Sequence, residues 1–183
     1  MPMEVNTFPW GGDYRPFTLA RMAWDDEGFA VLLQTDERPT DHTMIGLNQR
    51  VCSENCMELF LMPDPAHSDQ YINWEFNPNG AIFLSKGTCR EDRHDLLVED
   101  YLTRFSVQPR MFAWGWEIAF RIPFAFLKSE FPDFVPARGS RMRANFYKIA
   151  ELNRTPHFAC WSDIEWPEPD FHRPEFFGDL ILE

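Results

Sequence analysis

The clearest indication of the fold is the segment Y-I-N-W-E-F-N-P-N-G-A-I-F-L-S, residues 71–85. Apolar and polar residues alternate along its first half, which is the period of a strand with one buried face. The polar positions are Asn73, Glu75 and Asn77. The turn residues N-P-N-G follow, and then the apolar run 81–85. The segment therefore predicts an antiparallel hairpin with one face packed on a core.

Outward from this hairpin, short alternating stretches separated by turn signals recur along the chain. They are 17–24, 29–35, 56–62, 105–112, 114–122, 142–149 and 180–182. On 114–122 the residues Trp114 and Trp116 fall on the face predicted to be core. Pro123 is typical of a first helical turn and predicts one short helix over 123–131, whereas the charged segment 90–100 predicts a loop. The pattern indicates an all-β, antiparallel β-sandwich, immunoglobulin-like or jelly-roll-like, with one short helix.

Composition limits the classes of function. With 183 residues, 44% of them hydrophobic, the chain is expected to form one domain, 1–183, with a full core. A net charge of -12 excludes nucleic acid as a partner and disfavours anionic membranes. No apolar run approaches the roughly 20 residues of a membrane span. The sequence starts without a secretory signal pattern, which predicts a cytoplasmic protein unless a leader was removed.

Aromatic, histidine and arginine residues are concentrated in the last quarter of the chain. It contains R-A-N-F-Y-K (143–148), P-H-F-A-C-W-S (156–162) and P-D-F-H-R-P-E-F-F-G-D-L (169–180). Proline restricts the backbone, so the last segment is expected to be a shaped loop that carries rigid rings and hydrogen-bonding groups. That equipment suits a polar small molecule with apolar faces, such as a sugar.

Taken together, these motifs resemble the carbohydrate-binding module family 9-like domains. The matching pieces occur in the family's order and are N-C-M-E-L-F-L (55–61), Y-I-N-W-E-F-N-P-N-G (71–80), W-E-I-A-F-R-I-P (116–123), R-A-N-F-Y-K, W-S and F-H-R-P-E-F-F-G. The resemblance implies a β-sandwich of immunoglobulin-like architecture that binds carbohydrate without catalysis. It also implies a glycoside hydrolase or another protein as a partner, because such modules usually accompany hydrolases.

The resemblance further implies where the sugar would bind. The family's sugar-binding members clamp the ring between two tryptophans, which would fall at Cys52 and Phe171 here; only the second position is aromatic. Glu58 matches an acidic sheet residue of the family. Glu75 stands where the family has a basic residue, and Tyr147 where it has an amide. The implied pocket is thus family-like in its place and different in its lining.

Alternation independently predicts a binding site in the same region, because polar residues of three strands lie on the face opposite the core. If these strands are neighbours, as the resemblance implies, their carboxylate, amide and guanidinium groups suit vicinal hydroxyls. A solvated face with cross-strand ion pairs remains the alternative. Trp161 is interpreted either as a stacking platform or as core, and His172 either as a ligand contact or as a loop contact. The candidate ligand-binding residues are Glu58, Asn73, Glu75, Arg143, Asn145, Tyr147, Trp161, Phe171 and His172.

Other functions stay open. Glu58 and Glu75 could serve a glycosidase, although Arg143 is expected to lower a carboxylate pKa nearby; the main interpretation has no catalytic residue. A protein-interaction domain with a decayed sugar site is the next alternative, and a haem domain is the last. No cofactor and no metal site is expected. Acidic turn residues leave a structural calcium ion as an alternative to turn chemistry; they are Asp25, Asp26, Asp64 and Asp69.

Overall fold

A computed structural model describes residues 2–40 and 42–183, and these form two antiparallel sheets. The first sheet has the order β1-β2-β3-β9-β8, with β1 Met3–Glu4, β2 Thr18–Trp24, β3 Gly28–Thr35, β8 Gln108–Met111 and β9 Trp116–Pro123. The second has the order β11-β10-β4-β5-β6-β7, with β4 Cys56–Met62, β5 Tyr71–Phe76, β6 Ile82–Gly87, β7 His94–Asp95, β10 Arg141–Ala150 and β11 His157–Cys160. A last strand, β12 Gly178–Ile181, pairs with β10.

Two α-helices, α1 Tyr101–Arg104 and α2 Phe124–Glu130, connect strands, and short 3-10 helices occupy Val51–Ser53 and Pro174–Phe176. In the part of the chain that the structure describes, neither these nor any other helix combines the length and the apolar character needed to cross a membrane.

The main core lies between the two sheets. Its residues come from alternate positions, such as Trp116, Ile118 and Phe120 of β9 facing Leu59 and Trp74 of the second sheet. Alternation therefore located the buried faces correctly, because a strand presents every second side chain to the same side. The predicted β-sandwich is confirmed. The predicted hairpin is β5–β6, and Gly80 of its turn has a φ of 77°, a conformation that favours glycine.

The second sheet is buried on its outer face as well, which positions the site. Every residue of β4 and β5 is buried, including the polar ones. Long connections cover this face and form a second apolar cluster with it, which includes Phe60, Tyr147 and Phe171. Polar side chains on the outer face of β4 and β5 are therefore enclosed by loops instead of facing bulk water.

Some local predictions are wrong. The strand predicted over 105–112 is shorter, because α1 precedes it and β8 starts only at Gln108. Trp114, predicted to be core, is 50% exposed and stacks on Phe112 with 4.8 Å between ring centroids. The cause is that Trp114 lies in the turn before β9, where the alternation of the strand has not begun. The charged segment 90–100, predicted as a loop, contributes β7.

A buried polar cluster ties the chain after β3 to the second sheet. Nζ of Lys148, on β10, lies 2.5 Å from Oε2 of Glu37 and 2.9 Å from Nε2 of His157. Oriented with its nitrogen toward Glu37, the amide of Asn55 donates to the same carboxylate. These side chains are almost fully enclosed, so the Lys148 charge has its partners inside the protein.

Candidate functional site

The site starts from one row of residues across the second sheet. Tyr147 of β10 pairs with Glu58 of β4, and Glu58 pairs with Glu75 of β5. Directly opposed residues of antiparallel strands point to the same face with Cβ atoms about 4.5–5.5 Å apart. The row therefore places two carboxyl groups side by side. One ligand-type atom each of Cys56, Glu58 and Glu75 lies within 4.8 Å of the other two.

A cavity of about 360 Å³ opens above this row. That volume falls within the roughly 300–1,000 Å³ typical of small-molecule sites. Acidic and basic side chains line it together with three aromatic rings and Cys52. The lining residues that carry the site are Arg50, Cys52, Glu58, Glu75, Phe83, Arg90, Arg93, Glu151, Phe158, Asp170, Phe171 and His172.

Burial favours the protonated form of the two carboxyl groups, and the charge of Glu75 adds to this effect at Glu58. Glu58 is 2% and Glu75 3% exposed. Burial, followed by the charge of Glu75, raises the pKa of Glu58 well above its usual range. Burial likewise raises the pKa of Glu75 to about 7, although Arg93 opposes that rise. Desolvation penalises a charged carboxylate, so at neutral pH Glu58 is protonated and Glu75 is partly protonated.

Two chain segments far apart in sequence form one wall of the cavity. Nη2 of Arg90 lies 2.8 Å from Oδ1 of Asp170, and Nη1 of Arg93 lies 2.6 Å from Nε2 of His172. Nδ1 of His172 is 2.7 Å from the hydroxyl of Tyr71. Burial, followed by the charge of Arg93, lowers the pKa of His172 well below its usual range. His172 is therefore a neutral, fixed part of the wall.

Phe171 lines the cavity but exposes little of its ring. It is only 4% exposed, and its ring is stacked on Tyr147 with 4.0 Å between centroids. The hydroxyl of Tyr147 donates to the carbonyl oxygen of Phe171 over 3.0 Å. Tyr147 thus supports the F-H-R-P segment from below. The less buried rings at the cavity are Phe83 and Phe158.

The remaining candidate residues bond other groups of the protein. Asn73 donates to Oε1 of Glu75 over 2.9 Å, which places it behind the cavity. Asn145 exchanges hydrogen bonds with the backbone of Ser162, and Arg143 donates to the carbonyl oxygens of Glu175 and Phe177. Neither lies in the lining of the cavity. The sequence suggested that Arg143 is the guanidinium group beside the carboxyl pair, and this prediction is wrong. Arg93 has that position, at 3.7 Å from Glu75.

Trp161 also lies away from the cavity. It is half-buried and packs against the main core, with an edge-to-face contact to Phe146 at 5.8 Å. A Cβ added at Gly178 would come within 2.6 Å of its ring. Trp161 therefore packs on the backbone of β12, and its surroundings match the core interpretation.

Sequence reasoning missed several lining residues. Arg90 and Arg93 lie in a charged segment that was interpreted only as a loop, and Arg50 precedes Cys52. Phe83 is the cross-strand partner of Glu75, so alternation of the hairpin could have identified it. Phe158 lies in the quoted P-H-F-A-C segment. The arginines carried no periodic signal, because loops bring them to the site.

The candidate calcium ligands have turn contacts. Asp25 accepts hydrogen bonds from the backbone of Glu27 and Gly28 and pairs with Arg121 at 2.7 Å. Asp64 lies 2.9 Å from Nδ1 of His67. Asp26 and Asp69, which also carried the calcium hypothesis, are exposed.

Solved structures share this fold. A protein from Bacteroides uniformis to which carbohydrate binding is attributed is 27% identical, with a TM-score of 0.86 over 100% of this chain and 86% of that chain. A carbohydrate-binding module family 9 domain from Caldicellulosiruptor kristjanssonii in complex with glucose is 15% identical, with a TM-score of 0.64 over 97% and 83%. A carbohydrate-binding module family 9 domain from the same organism in complex with cellotriose is 16% identical, with a TM-score of 0.65 over 94% of this chain and 78% of that chain.

No curated protein matches the chain. The family model described as Carbohydrate-binding family 9 matches residues 3–182. This family consists of non-catalytic binding modules. Because the match spans nearly the whole length, this chain belongs to carbohydrate-binding family 9.

Proposed function

We propose that this protein binds a saccharide, without catalysis, in the cavity above Glu58 and Glu75. The observation that carries the proposal is the carboxyl pair at the floor of a cavity of about 360 Å³ that also has aromatic walls. Membership of carbohydrate-binding family 9 supports it. So do the structural relatives, which hold glucose and cellotriose.

Polar and apolar groups of the cavity match the two kinds of surface on a sugar ring. A protonated carboxyl both donates and accepts hydrogen bonds, as a sugar hydroxyl does. Arg93 and Arg90 add donors at the wall. Phe83 and Phe158 offer ring surface for the C–H face of a pyranose. We assign recognition to Glu58, Glu75, Phe83 and Phe158. Asn73, Tyr147, Phe171 and His172 have a supporting role, because their polar groups or rings are engaged inside the protein.

The electrostatics of the pair argue against a glycosidase. A retaining enzyme needs one ionised nucleophile and one protonated acid, which requires pKa values pushed apart. Here burial raises the pKa of both Glu58 and Glu75, so neither carboxyl is held ionised as a nucleophile must be. One oxygen of each lies within 4.8 Å of the other. This separation is shorter than the roughly 6.5–9.5 Å of an inverting pair and near the roughly 5–5.5 Å of a retaining pair, so the distance argues only against the inverting mechanism.

Three further proposals accompany the main one. A cytoplasmic location and a glycoside hydrolase or other protein partner stay predictions, to be tested by fractionation and affinity capture. A structural calcium ion near Asp25, Asp26, Asp64 or Asp69 stays the alternative to turn chemistry.

The deciding experiment is titration calorimetry against mono- and oligosaccharides, with and without calcium, followed by chromatography of each ligand. We expect saturable heat with the ligand recovered intact. Recovery of cleaved ligand would favour the glycosidase. No heat with any saccharide would overturn the proposal and favour the protein-interaction domain with a decayed sugar site, for which Cys52 in place of an aromatic residue is the supporting observation.

A further inference from the structure

The cavity contains more acidic than basic side chains. Four carboxyl groups and three guanidinium groups line it. Three of the four carboxyl groups have a guanidinium partner, and the pairs are Glu151 with Arg50 at 3.2 Å, Asp170 with Arg90 at 2.8 Å, and Glu75 with Arg93 at 3.7 Å. Glu58 is left over.

Glu58 lacks a strong partner although it is almost fully buried. Among residues 2–40 and 42–183, no lysine, arginine or histidine nitrogen lies within 4.0 Å of its carboxylate. Within the described part of the chain, the side chain of Glu58 accepts one hydrogen bond, from the thiol of Cys56 at 3.6 Å, and thiols are weak donors. Buried polar groups normally have a good partner. A group supplied by the ligand can therefore complete the hydrogen bonding of Glu58.

The neighbouring Glu75 indicates what kind of ligand group would bind to Glu58. Its carboxyl lies directly across the strand pair from Glu58, on the same face of the sheet. A cation placed between them would contact both carboxyl groups and favour their ionised forms. An ammonium group suits the position, because it carries one positive charge and three donors.

We infer that the saccharide carries a protonated amine, and that this ammonium group lies between the carboxyl groups of Glu58 and Glu75. The inference rests on the proposed function and specifies its ligand as an amino sugar. Phe83, beside Glu75 in the next strand, and Phe158 supply apolar walls for the sugar ring that carries the amine.

A divalent metal ion of the zinc class is the competing cation, and its donor set is weaker here. Cys56 and the two carboxyl groups offer three ligands, but zinc binds the thiolate, and burial raises the pKa of the Cys56 thiol well above its usual range. Both ring nitrogens of His172 are engaged by Arg93 and Tyr71. No histidine nitrogen of the wall is therefore ready to act as a fourth ligand.

Binding of an ammonium group also has a proton signature. Cys56, Glu75, Arg93 and Glu151 are the titratable groups that act on Glu58. Arg93, Glu151 and Arg90 act on Glu75, with Asn73 as a hydrogen-bond donor. In the empty site Glu58 is protonated and Glu75 partly protonated near neutral pH, whereas an ammonium group favours ionised carboxylates. An amino sugar should thus release a proton on binding, and its neutral counterpart should not.

The experiment is titration calorimetry near neutral pH in two buffers that differ in ionisation enthalpy. The ligands are glucosamine, 6-amino-6-deoxyglucose and glucose. We expect at least one amino sugar to bind about tenfold tighter than glucose or better, with proton release that glucose lacks. Glu58→Gln should reduce this preference to about twofold or less, and Glu75→Gln serves as a second variant. Glu27→Gln, an exposed turn residue, is the matched control.

The outcomes separate the inference from the proposed function. Glucose that binds as tightly as both amino sugars overturns the inference and leaves the proposed function standing. Folded Glu58→Gln and Glu75→Gln variants that both keep the preference overturn it as well. Stoichiometric binding of Zn²⁺ without binding of either amino sugar favours the metal. No binding heat with any of the three sugars or with the wider saccharide panel overturns the proposed function itself.

Discussion

Nη1 of Arg93 lies 2.6 Å from Nε2 of His172. A guanidinium group only donates hydrogen bonds, so Nε2 must be the unprotonated acceptor. The ring proton is then on Nδ1, which donates to the hydroxyl oxygen of Tyr71 at 2.7 Å. One contact thus fixes the tautomer of a cavity residue, its ring orientation and its neutral state.

Removal of this contact should shift the titration of His172. The pKa of His172 is lowered first by burial and then by Arg93 and Arg90. We expect Arg93→Ala to raise that pKa part of the way toward the usual value, because burial remains. NMR titration of the ring protons measures it. Arg104→Ala, which removes an exposed ion pair with Asp100, is the control. A wild-type His172 that titrates near about 6.5 would contradict the assignment.

The pH dependence of stability should report the carboxyl pair. The folded-state pKa of Glu58 lies above its unfolded-state value, so the folded state binds more protons between the two values, and the free energy of unfolding falls as pH rises. Glutamine does not titrate. Glu58→Gln should therefore gain stability relative to wild type on going from about pH 5 to about pH 8. Urea unfolding at both values measures the gain, and an equal difference at both would refute it.

Lys148 should be essential because it neutralises Glu37 inside the protein. Lys148→Met leaves that carboxylate without its closest cation, and breaking a buried pair costs about 3–5 kcal/mol. Glu37→Gln added to Lys148→Met should recover part of the loss, since the uncompensated charge is gone. Urea unfolding of the two single variants and the double variant measures the coupling. Strictly additive losses would mean that the pair does not act as a unit.

Two phenylalanines of the cavity should respond differently to truncation. Phe158 is half-buried at the cavity, whereas Phe171 is 4% exposed and stacked on Tyr147. Phe158→Ala should weaken saccharide binding by about 1 kcal/mol or more with a modest loss of stability. Phe171→Ala should lower the free energy of unfolding by about 3–5 kcal/mol. Calorimetry and urea unfolding of both variants test this contrast, which fails if Phe171→Ala is the more stable variant.

Close packing at β12 should make Gly178 intolerant of a side chain. A Cβ there would lie 2.6 Å from the Trp161 ring. Gly178→Ala should therefore displace the ring and lower the unfolding temperature. The tryptophan fluorescence should change with it. Trp161→Ala, which removes the ring that meets the added methyl group, is the control background, because Gly178→Ala should cost little stability there. An unfolding temperature that Gly178→Ala leaves unchanged in the wild-type background would count against the packing role of Trp161.

Alternation predicted the sandwich because burial follows the period of a strand. Ile72, Trp74 and Phe76 were placed on the core face of the hairpin, and all are buried there. The same period put Glu58 and Glu75 on the opposite face. Their adjacency came from the family resemblance, since pairing between strands is not encoded in the period of either strand.

The contacts made by loops could not be predicted from the sequence, for a physical reason. Alternation places Asn145 and Glu58 on the same face, yet Asn145 bonds Ser162 and Glu58 faces the cavity. Arg93 reaches His172 only because the folded sheet brings residues 79 positions apart together. Such contacts depend on how the connections fold over the sheet, and no local pattern records that path.

The long sequence separation of the wall contacts has a consequence for the nascent chain. The cavity draws residues from Asn48 to His172, and β10, which supplies Tyr147 beneath Phe171, pairs with the much earlier β4. A ribosome must therefore extend the chain past His172 before the wall can close. Until then the outer face of β4 and β5 lacks its cover, and unpaired strands with exposed apolar surface are prone to aggregate. The cavity can thus form only after the hairpins β2–β3 and β5–β6 have been synthesised.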